Sequence, residues 1–430
     1  MKRIVRGGRV VDPSQGLDAE LDVSIEDGLV AALEERLEPE EGVEETDARG
    51  LVVVPGLIDI HVHLREPGFE YKETVETGVM AAAAGGFTAV ACMANTEPVN
   101  DSRSVTEFIL RQAARHPYAR VYPIGAISKG MKGEELTEVG EMVAGGAVAV
   151  SDDGLPVRNA ALMLRALMYA RHFGVPVIQH AEDLDLTGDG VMHEGEWSTR
   201  LGLPGIPGLA EDVMVARDLL LLSETGGRYH VAHLSTARSL EMVREAKRRG
   251  LPATCEVTPH HLLLTDREVA EREYSTDTKM KPPLRSGADV AALIEGLVDG
   301  TVDAIASDHA PHHADEKDQQ FSTAPFGIVG LETTLSLCLD RLVQPGIIDL
   351  PRLVELLSTG PARAFGLPGG SLAPGGPADL TLIDLGREVT ICAEDFRSLG
   401  RNTPFGGWEL TGAAVGTFLD GRPVELPPRG

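Results

Sequence analysis

Two histidines one residue apart carry the first chemical signal in this chain. They close the apolar run Val54-Pro55-Gly56-Leu57-Ile58-Asp59-Ile60-His61-Val62-His63, and Arg65 follows almost at once. In a β-strand, residues i and i+2 share a face, so His61 and His63 project together. Two neutral imidazoles on one rigid face make half of a zinc site. Further donors end other apolar runs: Asp152 and Asp153 after Ala147-Val148-Ala149-Val150-Ser151, His180 after Val177-Ile178-Gln179, His233 in Tyr229-His230-Val231-Ala232-His233, and Asp308 after Ala304-Ile305-Ala306-Ser307. Each alone reads as a structural residue. Six candidate ligands, with one of Asp152 and Asp153 counted, end five separate strands and form a joint pattern that packing does not explain. Imidazole and carboxylate donors with no thiolate nearby suit zinc, and such an ion activates water and polarises a carbonyl.

Converging these donors requires a scaffold that brings many strand ends to one rim. Strand-like runs near 57–63, 87–93, 120–127, 146–151, 176–180, 228–234, 253–258 and 302–307 alternate with longer segments such as 101–115, 157–173, 208–223, 236–249 and 287–299. Those segments are amphipathic or rich in Ala and Leu, as helices are. Eight alternations predict an α/β fold, a (β/α)8 TIM barrel whose active site lies at the C-terminal ends of its strands. The two ends break this rhythm and read as short strands with turns. They are expected to pair into one small β-sandwich, made of 1–54 and 367–430, beside a catalytic barrel of 55–366.

The chain has 430 residues, 43% of them hydrophobic, and a formal net charge of −27. That charge argues against nucleic acid or an anionic membrane as partner. No apolar leader opens the sequence and no run of about 18 apolar residues occurs. Cys92, Cys255, Cys338 and Cys392 lie far apart and form no Cys-x-x-Cys. Together these features lead to the expectation of a cytoplasmic protein without disulfides.

The motifs His61-Val62-His63-Leu64-Arg65-Glu66-Pro67-Gly68, Met93-Ala94-Asn95-Thr96, Ser151-Asp152-Asp153-Gly154, Glu256-Val257-Thr258-Pro259-His260-His261, Ser307-Asp308-His309-Ala310-Pro311-His312 and Ala324-Pro325-Phe326-Gly327 together resemble the type I bacterial dihydroorotases of the amidohydrolase superfamily. The His-x-His pair marks only the superfamily; the Arg65-Glu66-Pro67-Gly68 continuation and the late Pro-Phe-Gly are more specific. The resemblance covers the whole chain. It implies two Zn2+ per chain, the second the weaker of the pair. His61 and His63 would hold the first, His180 and His233 the second, with Asp153 bridging and Asp308 on the first metal as proton carrier. Asp152 stays open as the rival bridge.

The implied reaction is reversible, interconverting (S)-dihydroorotate and N-carbamoyl-L-aspartate in pyrimidine (UMP) biosynthesis. Recognition of the substrate carboxylate would fall to Arg65, whose guanidinium can grip it bidentately, with Asn95 donating beside it. The family pattern adds His63, His312, Phe326 and Gly327 to the substrate contacts. Lys281 stands where relatives carry an asparagine that helps bind substrate, and a cation there still suits an anionic ligand. His230, His260 and His261 read as packing or supporting residues. The polar stretch 312–320 reads either as a loop over the site or as an exposed linker.

Two other readings compete. Another cyclic-amide hydrolase, a hydantoinase, dihydropyrimidinase or allantoinase, would share the metal chemistry without needing Arg65 and Asn95. A silent structural partner of aspartate transcarbamoylase should have lost ligands that this chain keeps. The resemblance leaves open a homo-oligomer or a complex with that enzyme.

Overall fold

The computed structural model describes residues 2–38 and 42–428. Five strands come first: β1 (Lys2–Asp12), β2 (Leu17–Glu26), β3 (Leu29–Glu34), β4 (Glu44–Asp47) and β5 (Val52–Pro55). The barrel strands are β6 (Leu57–Val62), β7 (Phe87–Cys92), β8 (Arg120–Gly125), β9 (Ala149–Ser151) and β10 (Val177–Gln179). After a two-stranded excursion, β11 (Met192–His193) with β12 (Gly205–Ile206), they continue as β13 (Tyr229–Val231), β14 (Ala253–Val257) and β15 (Ala304–Ile305). The chain ends in β16 (Leu380–Thr390), β17 (Glu409–Leu419) and β18 (Arg422–Pro423).

All eight expected barrel strands are present, parallel and hydrogen-bonded in the order β15-β14-β13-β10-β9-β8-β7-β6. They are apolar runs because both faces are covered. Every residue of β6, β7, β9, β10, β13 and β15 is buried. Helices at Arg103–Ala113, Ala160–Arg171, Leu209–Thr225, Ala237–Arg248 and Gly287–Val298 fall in the expected intervals. Three begin on side-chain caps that satisfy free amides: Asn159 accepts from Ala161 and Leu162, Thr236 accepts from Ser239, and Ser286 accepts from Asp289. The barrel is drawn shut where the His63 amide donates to the His309 carbonyl at 2.9 Å. Buried Asp59, on β6, adds a second clasp by accepting from the Ser307 amide at 3.0 Å.

The termini form one mixed sheet, ordered β18-β17-β16-β5-β1-β2-β3, with β4 also on β1. C-terminal β16 is stitched antiparallel to N-terminal β5 through Leu380–Pro55 to Ile383–Val52. The sheet shares a core of Val5, Val10, Val23, Val53, Leu380 and Phe418, so neither end buries an apolar face alone. Strands β3 and β4, mostly exposed, fall within the 1–54 stretch expected to form short strands. Arg120 on β8 reaches Asp379 at 2.7 Å and ties this sheet to the barrel. No helix among the described residues is long and apolar enough to cross a membrane.

Gly56 alone separates the terminal sheet from the first barrel strand, because β5 ends at Pro55 and β6 starts at Leu57. A Cβ there would stand 2.1 Å from Thr88 Oγ1. Its carbonyl accepts from Ser358 Oγ at 2.7 Å. Gly56→Ala is therefore expected to lower the thermal midpoint, by overpacking on the order of 1–3 kcal/mol. Differential scanning calorimetry checks this; an unchanged midpoint would mean that the junction yields without strain.

Candidate metal centre

The six predicted ligand residues meet at the C-terminal rim, each buried. Asp153 stands in the middle. Its Oδ2 lies 3.6 Å from His61 Nε2 and 3.5 Å from His63 Nε2, while its Oδ1 lies 3.3 Å from His233 Nε2 and 3.7 Å from His180 Nδ1. Two donor sets thus share one carboxylate: His61, His63 and Asp153 on one side, Asp153, His180 and His233 on the other. Asp308 Oδ1 is 3.3 Å from His61 Nε2 and 3.1 Å from His63 Nε2, beside the first set.

Asp152 turns away. Its carboxylate accepts from the Ile127 amide at 2.7 Å, the Ser128 amide at 3.0 Å and the Ser128 hydroxyl, so it fastens the loop after β8. Of the two aspartates, only Asp153 lies between the two histidine pairs.

Glu256 and Asn95 set imidazole rings and Asp59 holds the His61 backbone, roles not expected from the sequence. Glu256 on β14 takes His61 Nδ1 at 2.5 Å and His230 Nε2 at 3.1 Å, and also accepts from the His233 amide at 3.3 Å. With Nδ1–H given to Glu256, His61 Nε2 faces the centre, where the ring would lose its charge on binding a metal. Burial opposes ionisation of Glu256, yet the His61 charge and bonds from both rings bring its carboxyl down to about 2. Asn95, expected at the substrate, offers its Oδ1 to His63 Nδ1 at 2.9 Å and so aims His63 Nε2 inward. Asp59 accepts from the His61 amide at 3.0 Å; burial pushes its carboxyl up to about 7. Asp59 had a readable signal, since Asp59-x-His61-x-His63 keeps the period of two. Glu256 opens one of the family motifs, but nothing local ties it to His61, 195 positions away.

Backbone strain collects at the same rim. Arg65 (φ 63°), His233 (φ 33°) and Asp308 (φ 45°) are non-glycine residues in the left-handed region. Such conformations cost about 1–3 kcal/mol each and persist where surrounding structure imposes them.

The donor chemistry fits a divalent metal. His61 Nε2, Asp153 Oδ1 and His233 Nδ1 are buried without a hydrogen-bond partner. An orphaned buried polar atom costs about 1–3 kcal/mol, which ligation would remove for the inward-facing ones. Burial alone would raise the Asp153 carboxyl, but the charge on His61 beside it holds it well below the usual range. It is an anion ready for cations.

Around this centre, the half-buried Arg65 gives its Nε to the Pro311 carbonyl at 3.3 Å, and burial brings its guanidinium down to about 10, still a cation at neutral pH. His312 Nε2 donates to the Phe326 carbonyl at 2.8 Å. The Gly327 amide donates to the Lys279 carbonyl at 2.9 Å. Lys281 Nζ is 3.0 Å from Glu182, whose same oxygen is 3.2 Å from His180 Nε2. The polar stretch after Asp308 is no free linker: Ala314–Lys317 forms a helical turn, and Glu316 pairs with Lys72 at 2.9 Å.

A profile of the dihydro-orotase-like family matches residues 50–239. A dihydroorotase of Anaeromyxobacter sp. (strain K) is 59% identical over 98% of this chain and 97% of its own length. One from Syntrophotalea carbinolica is 53% identical, covering 98% of both chains. The chain belongs to the dihydroorotase family. Among solved structures it is similar to the L-hydantoinase of Arthrobacter aurescens, with a TM-score of 0.88, 27% identity and coverage of 99% of this chain and 96% of that one. A D-hydantoinase from Thermus sp. gives a TM-score of 0.83 at 26% identity, covering 98% of this chain and 94% of that one. Barrel and terminal sheet are thus shared across cyclic-amide hydrolases, while the high-identity relatives are dihydroorotases.

Glu256→Gln keeps the shape but cannot accept from both imidazoles. Partners of this kind typically contribute about 10–100-fold in metal affinity. Competition with a chromophoric chelator is expected to show that loss, with the fold intact by circular dichroism. Parental affinity would show that His61 needs no orienting carboxylate.

Proposed function

We propose that this protein is a dihydroorotase that interconverts (S)-dihydroorotate and N-carbamoyl-L-aspartate in pyrimidine biosynthesis, with two zinc ions shared across Asp153. The observation that carries the reading is the pairing of this centre with Arg65 and Asn95 in a chain 53–59% identical to dihydroorotases over nearly its full length. Bound divalent cations would supply a Lewis acid for the ring carbonyl and activate water near neutral pH. His61 and His63 would hold one ion, His180 and His233 the other.

Asp308 handles the proton. Its carboxylate sits 3.1 Å from His63 Nε2 and is kept ionised: burial works against this, but the His61 charge and the His63 hydrogen bond hold its carboxyl below the usual range. In the hydrolytic direction water oxygen bonds to the ring carbonyl carbon, and Asp308 accepts the proton released. The carbon–nitrogen bond then breaks, and Asp308 returns that proton to the leaving nitrogen. Cyclisation runs the same steps backwards.

Arg65 receives the α-carboxylate of the substrate, since a fork of donors matches a carboxylate better than a point charge does. Asn95 has one carbonyl committed to His63, which leaves its amide nitrogen for the same carboxylate. His63, His312, Phe326 and Gly327 complete the contacts, and Lys281 adds positive charge from beside Glu182. The four free cysteines and a biosynthetic reaction support a cytoplasmic site of action.

Asp308→Asn is expected to lower kcat about 10²–10⁴-fold, the usual worth of a general acid–base group. Metal content, measured on the same sample by plasma mass spectrometry, should stay near parental. The parent should turn over dihydroorotate and leave 5,6-dihydrouracil and hydantoin nearly untouched. The reverse preference would favour the hydantoinase reading, and a fully metallated Asp308→Asn with normal kcat would move the proton to another group.

A further inference from the structure

The segment Ser322–Gly327 brings Phe326 and Gly327 beside His312, yet no strand ladder or helix satisfies its carbonyls. Two lysines do. Lys279 Nζ donates to the Ser322 carbonyl at 3.1 Å and the Ala324 carbonyl at 2.7 Å, and stands 4.6 Å from the Phe326 ring centroid. Lys317 Nζ donates to the Pro325 carbonyl at 3.0 Å and the Gly327 carbonyl at 3.2 Å. Asn402 Nδ2 adds a second donor to the Gly327 carbonyl, at 2.9 Å.

This arrangement is costly. Lys279 is 2% exposed and Lys317 7%, and among the described residues neither has a carboxylate at ion-pair distance. An ammonium buried without a counter-ion loses its hydration for carbonyl dipoles alone. Burial brings both amines down to about 8; Lys281 lowers Lys279 further, while Asp277 partly offsets the effect at Lys317. A surface lysine has no reason to sit so. What the two cations secure is the shape of one short segment, by its carbonyls at 322, 324, 325 and 327 and by the ring at 326. That shape has little slack at Gly327, which has φ +155° and where a Cβ would meet the Ala310 carbonyl at 2.6 Å and the His312 ring at 2.8 Å.

We propose that Lys279 and Lys317 are positioning residues for substrate recognition, a pair of buried cations that holds Ser322–Gly327 in the form that receives the substrate ring. The inference rests on the reading above that Phe326 and Gly327 meet the substrate. Lys281 differs from both: it is 5.3 Å from the Phe326 ring but bound to Glu182, not to backbone.

The test uses the metal-loaded full chain with Lys279→Met and Lys317→Met, singly and together. Hydrogen exchange by mass spectrometry follows peptides spanning 318–330, beside steady-state kinetics, metal content and the thermal midpoint. Each variant is expected to exchange in 322–327 about tenfold faster or more, the change that follows from losing a charge-assisted bond. KM for dihydroorotate should rise by a similar factor, with kcat and metal content near parental. Lys317→Arg, which keeps the charge, should recover part of the KM. Should Lys279→Met fail to fold, Lys317→Met carries the test alone. Parental exchange in 322–327 overturns the clamp. Faster exchange with an unchanged KM overturns its part in recognition. A parent inactive on dihydroorotate would defeat the functional reading instead, and the exchange data would still decide the clamp.

Discussion

One buried carboxylate organises the site. Asp153 has His61 and His63 near one oxygen and His180 and His233 near the other, all within 3.7 Å. Four imidazoles and an aspartate gathered this tightly in a buried pocket are held by covalent geometry, not by attraction alone. They hang from β6, β10, β13 and the turn after β9, whose ends a parallel barrel brings to one rim. The fold's first task is to keep those ends in register while the groups between them stay short of hydrogen-bond partners.

That task explains the polar residues inside the barrel. Glu256 joins β14 to His61 and His230; Asp59 ties β6 to the amide of Ser307 after β15; Asn95 fixes His63. Each is a charge or amide withdrawn from water, tolerable only because every one reaches a named donor. Glu256 and Asn95 determine which nitrogens of His61 and His63 face the centre. The hydantoinases share the fold at TM-scores of 0.83–0.88, so the barrel alone selects no substrate. On the proposed reading, selection falls to Arg65 with Asn95 and to the segment that Lys279 and Lys317 contact.

The barrel was legible because strands buried on both faces must be apolar throughout, and eight such runs alternate with helical segments. Several strands stop sooner than their apolar runs. β13 ends at Val231 and β15 at Ile305, and the backbone turns left-handed at His233 and Asp308 to aim those side chains inward. Composition cannot reveal that change of direction. His230 reaches Glu256 through its ring, whereas His233 reaches it through its backbone amide and turns its ring to Asp153. The choice between Asp152 and Asp153 needed coordinates, since both lie past the end of β9, where alternation no longer applies. Lys279 and Lys317 left no local trace, because their partners are carbonyls, which any residue supplies.

The central claim is that Asp153 is shared by two metal ions. Crystals of the protein reconstituted with zinc, measured on both sides of the zinc absorption edge, test it most directly. The account predicts two anomalous peaks, one touched by His61 and His63, the other by His180 and His233, with Asp153 touching both. A single peak that leaves Asp153 free, or a bridge made by Asp152, would contradict it.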